Sequence, residues 1–139
     1  MTSQQLQNLV KTGQLKEEPG SREEMEGLLH SGRVRLQDAR SASLSLDSRF
    51  DLAYNAAHAL ALAALRWHGY RSDKRYLVFQ VLPQTLGVGQ EVWRVLALCH
   101  ERRNLGEYEG HLEVDEQLMA DLLKATETLL SKVDGLPEP

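Results

Sequence analysis

An arginine stands where a hydrophobe belongs. Along the run Val92, Val95, Leu96 and Cys99, the residue that continues the apolar stripe is Arg103, within Arg103-Asn104-Leu105-Gly106-Glu107-Tyr108-Glu109-Gly110. At about 100° per residue, Arg103 projects within roughly 20° of Val92 and Leu96 on a helical wheel, so it shares the face that meets a core or a partner. A guanidinium keeps its charge at any cellular pH and is costly to bury alone, so an anion should meet it. Arg102 lies toward one edge of the same stripe. The anion is either a carboxylate of this chain, with Glu107 one turn away, or a group supplied from outside the subunit.

Other chemistries find less support. His100-Glu101-Arg102-Arg103-Asn104 follows the zinc-protease helix pattern only up to its last position, which would have to be histidine. No Glu-x-x-His pair suits a di-iron bundle, and Gly87-Val88-Gly89 lacks the length and the lysine of a phosphate-cradling loop. Cys99 is the sole cysteine, so neither an intrachain disulfide nor a cysteine-built zinc site can form, and it reads as a small core residue in a reducing compartment. No metal and no cofactor is expected. His58 reads as a core or interface histidine, and His68 and His100 as partly exposed ones. Trp67, Tyr70, Tyr76 and Trp93 read as core or interface anchors.

The elements that must position Arg103 are helical. The chain has 139 residues, 42% of them hydrophobic and 26% charged, which suits one domain with a real core. A net charge of -4 argues against coating nucleic acid through bulk electrostatics, so any RNA contact must be local, and no DNA partner is expected. The start, MTSQQLQNLVKTGQLKEEPG, lacks the basic and apolar blocks of an export signal, which points to the cytoplasm. The most apolar stretch, Leu52 to Leu65, falls short of the roughly 20 residues that cross a bilayer. No membrane partner is expected.

Residues 1–20 hold a short amphipathic piece around Leu6, Leu9 and Val10, read as a short helix or a loose arm before Pro19-Gly20. Ser21-Arg22-Glu23-Glu24 is a capping box opening a first long helix. Ser48-Arg49-Phe50-Asp51 offers a second box, leading into LAYNAAHALALAALRWHGY, whose alanines and leucines cover nearly the whole circumference. Gly69 stops that helix. A third segment, from about Arg75 to Leu86, reads as helix; a fourth opens at Glu91 and runs to the arginine pair, where Gly106 and Gly110 disturb it. A fifth starts near Asp115, and residues 135–139 form a frayed tail. The expectation is an all-α, four- to five-helix up-and-down bundle over residues 21–134.

With Arg103-Asn104 at the end of the fourth helix, and with the aromatic, alanine-rich YNAAHALALAALRWHGY segment before it, the chain resembles the HEPN family of small helical-bundle proteins. The family signature is an arginine followed by Asn, Asp or His, with a histidine a few residues on. The resemblance implies metal-independent endoribonuclease activity of the toxin or defence type in a cleft between two bundles, a ribose 2'-hydroxyl attacking the neighbouring phosphate. It implies that Arg103, with Arg102 beside it, binds phosphate and that Asn104 orients it or braces the loop. The position five residues after Arg103 is Tyr108, not histidine, and a tyrosine hydroxyl titrates near about 10, so it would donate a hydrogen bond or stack on a base. His111 would supply the imidazole if the chain folds back past Gly110. The partners implied are RNA and a second copy of the chain, paired through the second and fourth helices so that both Arg103 residues meet. The alternative is a noncatalytic interaction module in which Arg103 is an internal brace and the groove takes a protein partner such as a nucleotidyltransferase-like antitoxin.

Overall fold

The computed structural model describes residues 3–137; positions 138 and 139, the end of the expected tail, lie outside them. The described chain is all-α. In order it runs α1 (Gln4–Lys11), β1 (Lys16–Glu17), α2 (Arg22–Ala39), α3 (Leu46–Trp67), β2 (Tyr70–Arg71), α4 (Arg75–Gln80), α5 (Leu82–Thr85), α6 (Gln90–Glu109) and α7 (Glu116–Asp134). The two short strands pair antiparallel, Lys16 opposite Arg71 and Glu17 opposite Tyr70.

The central helix is α3. Its alanines leave room for close approach on every side, and α2, α7, α4 and α6 of the same chain pack around it. Phe50, Ala53, Tyr54, Ala57, Leu60, Ala61, Ala64 and Leu65 are all buried there. These helices cover most of its apolar circumference, while Leu52, His58 and Leu62 stay half-buried along one side. Leu118, Met119, Leu122, Leu129 and Val133 of α7 close the core from one side, Leu96 and Cys99 of α6 from another. Burial pushes the Cys99 thiol up to about 12, so it acts as a small hydrophobe. No helix among the described residues is long and apolar enough to cross a membrane.

Helix starts follow side-chain chemistry, with two departures from expectation. Ser21 caps α2 by accepting from the Glu24 amide, and Asp115 caps α7 by accepting from Leu118. Ser21 behaves as the capping box predicts, but the Glu24 carboxylate goes to Arg66. The second start lies three residues earlier than the expected box: Ser45 is the cap, accepting from Ser48, which already sits in the first turn of α3. The segment from 75 to 86 is helical but broken at Val81, because Pro83 has no amide hydrogen to give and fits the first turn of a new helix.

Gly106 does not interrupt α6. The helix passes through it and ends at Gly110, whose φ of 81° is the left-handed conformation that glycine adopts at low cost. Residues 103–109 are thus helical, which fixes the directions of Arg103, Asn104 and Tyr108.

The N-terminal segment forms its short helix and is packed, not loose. Leu6 and Leu15 enter the core, and Gln7 donates to the Tyr70 hydroxyl at 2.7 Å. Arg66, 2% exposed near the end of α3, holds the rest. Its guanidinium donates to Glu24 Oε1 at 2.5 Å, to the Glu18 carbonyl at 2.7 Å, and to the carbonyls of Pro19 and Tyr70, each at 3.1 Å. Gly20 is required beside it, because a Cβ there would sit 2.8 Å from the Arg66 carbonyl oxygen. Glu18 pairs with both Arg66 and Arg71, and the hydrogen bond from Arg71 holds its carboxyl below the ordinary range.

Candidate functional site

Arg103 lies on the side of α6 that faces the N-terminal half of α3. Its guanidinium carbon sits 5.0 Å from the centroid of the Tyr54 ring, a cation-π arrangement that accounts for a charge placed in an apolar stripe. Its nitrogens meet Glu107 Oε1 at 3.2 Å and Asp51 Oδ1 at 4.0 Å. The anions are therefore supplied by this chain. Both carboxylates are largely exposed, so each pairing contributes about 0–1 kcal/mol, and Arg103 itself stays 26% exposed.

Tyr54 is the hub of a larger cluster drawn from three helices. Arg75 of α4 approaches the same ring, its guanidinium carbon 5.7 Å from the centroid, while donating to Asn55 Oδ1 at 3.0 Å. The Tyr54 hydroxyl hydrogen-bonds His100 Nδ1 at 2.9 Å, and the other imidazole nitrogen meets the Asn104 amide at 3.1 Å. Burial, then the nearby Arg103 and Arg75 charges, lower the His100 pKa; the same causes push His58 down to about 4. Both imidazoles are neutral at pH 7. Burial also raises the Tyr54 hydroxyl, which stays a neutral hydrogen-bonding group. Two guanidiniums and two carboxylates thus gather around the Tyr54 ring.

On the next face of α6 a groove of about 580 Å³ runs past Tyr76, Trp93, His100, Asn104, Leu105 and Tyr108. Its size and its mix of apolar wall with a few polar groups fit a binding site. Tyr76 packs edge-on against Trp93, ring centroids 6.1 Å apart, and lies 5.4 Å from the His100 ring. Arg94 and Glu101 stand at the rim.

Of the residues singled out in sequence, Asn104 and Tyr108 line the groove, and Arg103 borders the Tyr54 cluster on the adjoining face. Arg102 donates to the Glu113 carbonyl at 2.8 Å and so ties the chain after Gly110 back to α6. Its guanidinium braces a loop. His111 does not fold back to the groove; it is exposed, 3.7 Å from Glu113. Tyr108 is 90% exposed. The residues missed are Tyr54, Arg75 and His100. His100 carried a usable signal, since it precedes Asn104 by four residues and must share its helix face. Among the described residues, no group of three or more His, Cys, Asp or Glu side chains comes together that could hold a metal ion. No family model matches the chain, and no curated protein or solved structure gives a significant match to it.

Proposed function

We propose that this chain is a HEPN-like, RNA-directed domain whose Arg103 and Arg75 meet a backbone phosphate. The observation that carries this reading is the convergence of two guanidiniums and the neutral His100 imidazole on Tyr54, beside an aromatic groove, in a chain of net charge -4. A local cationic site is the form an RNA contact must take in an acidic protein. The two carboxylates on Arg103 are held weakly enough for a phosphate to displace them, because a guanidinium fork matches phosphate oxygens with charge-assisted bonds.

As an endoribonuclease the domain works without a metal. The ribose 2'-hydroxyl attacks the adjoining phosphorus, and its proton passes to an imidazole. The phosphorus bond to the 5'-oxygen breaks, and water protonates the departing oxygen. His100 takes the imidazole role in place of Tyr108 or His111, since it is neutral and faces the groove. The Tyr54 hydroxyl orients it through Nδ1, and a substrate hydroxyl takes the place of the Asn104 amide at Nε2. The test is cleavage of single-stranded RNA in the presence of a chelator, wild type against Arg103→Ala and His100→Gln, with a 2'-deoxy substrate as control. Cleavage abolished in both variants and in the control is the expected result. Intact RNA with wild-type protein ends the enzymatic reading.

A second reading has its own observation. Glu107 and Asp51 already neutralise Arg103, and Leu98, Leu105, Tyr76 and Tyr108 expose a ridge of large apolar side chains along α6 and α4. As a noncatalytic interaction module, the domain would cover that ridge with a second copy or with a nucleotidyltransferase-like antitoxin. Sedimentation of the pure chain separates a homodimer from a monomer awaiting another protein.

A further inference from the structure

The groove concentrates aromatic rings beyond what the composition predicts. Three of the eight Phe, Tyr and Trp residues line it, together with the His100 imidazole, although the core alone could have absorbed them. Trp93 and Tyr76 stand at one end and Tyr108 at the other, 15 residues apart on α6 between Trp93 and Tyr108, or roughly 22 Å at 1.5 Å per residue. Between them the lining is mostly apolar, with Ala97, Leu98 and Leu105, and carries one oriented amide: Asn104 directs its amide nitrogen to His100, and its Oδ1 has no hydrogen-bond partner among the described residues. Aromatic walls with one oriented acceptor suit a flat heterocycle with an exocyclic amine. They do not suit an aliphatic chain, which would leave the acceptor unpaired.

We infer that this groove is a base-binding subsite, seating an unpaired, amino-bearing nucleobase of single-stranded RNA against Tyr76, with the base amine donating to Asn104 Oδ1. Tyr108, on the same face, stacks on a second base further along the strand. The inference rests on the RNA-directed reading and adds to it the part of the RNA that is recognised. Arg103 and Arg75 meet the backbone; the groove reads the base. At the rim Arg94 and Glu101 balance in charge, so the groove offers no net positive charge to a phosphate and suits the neutral base.

Trp93 reports occupancy directly. In the protein carrying Trp67→Phe, so that Trp93 is the only tryptophan of these 139 residues, fluorescence is titrated with a short oligoadenylate, a matching oligouridylate and an abasic ribose-phosphate oligomer. Saturable quenching by oligoadenylate, weaker by oligouridylate and absent with the abasic chain, is the expected pattern. Tyr76→Ala should weaken oligoadenylate binding roughly 5- to 150-fold, the range of one lost base stack. Should Tyr76→Ala perturb the fold by circular dichroism, Asn104→Leu tests the same site by erasing the adenylate preference. Equal binding of abasic and base-bearing strands, sensitive to Arg103→Ala, overturns the base subsite and leaves the RNA-directed reading standing. No binding of any strand overturns both.

Discussion

Two arginines in this molecule face opposite circumstances. Arg66 is buried at the end of α3, and its nitrogens are met by the Glu24 carboxylate and the carbonyls of Glu18, Pro19 and Tyr70. Arg103 leans on the face of Tyr54, with two exposed carboxylates at its edge. A guanidinium surrounded by acceptors has nothing left to offer a ligand and serves to join segments distant in sequence, here residues 18–24 to residues 66–70. One that rests on a ring and shares exposed surface carboxylates keeps donors within reach of solvent. Charge in an apolar helix is thus ambiguous until its partners are counted; closure marks architecture and openness marks a candidate site.

The largest effect that can break this contrast is on stability. Arg66→Met should destabilise the fold by about 3 kcal/mol or more, because it removes the common donor of three carbonyls and of the partly exposed Glu24 and Glu18 carboxylates. Urea unfolding measures it, and a loss under about 1 kcal/mol would erase the distinction between the two arginines. Glu24→Gln keeps the shape while removing the charge, and a loss of about 1–3 kcal/mol is expected from the weakened hydrogen bonds, read in the same unfolding series. Acid should then act on the open region. The folded His58 value, about 4, lies below its ordinary 6.5, so the stability it confers is complete above pH 6.5 and declines as pH falls from there toward 4. Stability curves of wild type and His58→Gln against pH should diverge over that window, and parallel curves would show that His58 is not buried as described.

Much of the frame was legible in the sequence because it depends on local chemistry. Ser21, Asp115 and Gly69 mark helix ends by hydrogen bonds and backbone conformation that neighbouring residues decide. Cys99 and the alanine-rich helix are buried as their apolar spacing requires. Ser48 has an acidic residue, Asp51, three positions on and Ser45 has only Ser48, so the local pattern favours Ser48 although Ser45 is the cap. The break at Val81 was written in Pro83 but lost within a continuous apolar run. Arg66 offered the same signal as Arg103, a charge inside an apolar run, yet its partners come from 42 to 48 residues away. The Tyr54 cluster is nonlocal in the same way: Arg75 and His100 reach it from α4 and α6, and no spacing rule within one helix can pair them. His100 with Asn104 was the fragment that helix geometry alone could have given.

The smallest stability effect carries the sharpest functional prediction. Arg103→Ala removes one ring contact and two exposed ion pairs, so it should cost about 1–2 kcal/mol. The residual folded state is then intact, and any loss of RNA binding reports the phosphate contact itself. Losing one charge-assisted fork should weaken binding about tenfold or more and flatten its salt dependence, since one fewer phosphate is neutralised. Glu107→Gln sharpens the same test from the other side. With its competing carboxylate gone, Arg103 should hold phosphate more tightly, and the variant should bind RNA better than wild type by a few-fold, because an exposed pair of this kind contributes only about 0–1 kcal/mol. Opposite responses to Arg103→Ala and Glu107→Gln identify Arg103 as a ligand-facing cation. If both variants bind RNA as the wild type does, Arg103 is a brace like Arg66, only weaker, and the two arginines differ in degree of burial alone.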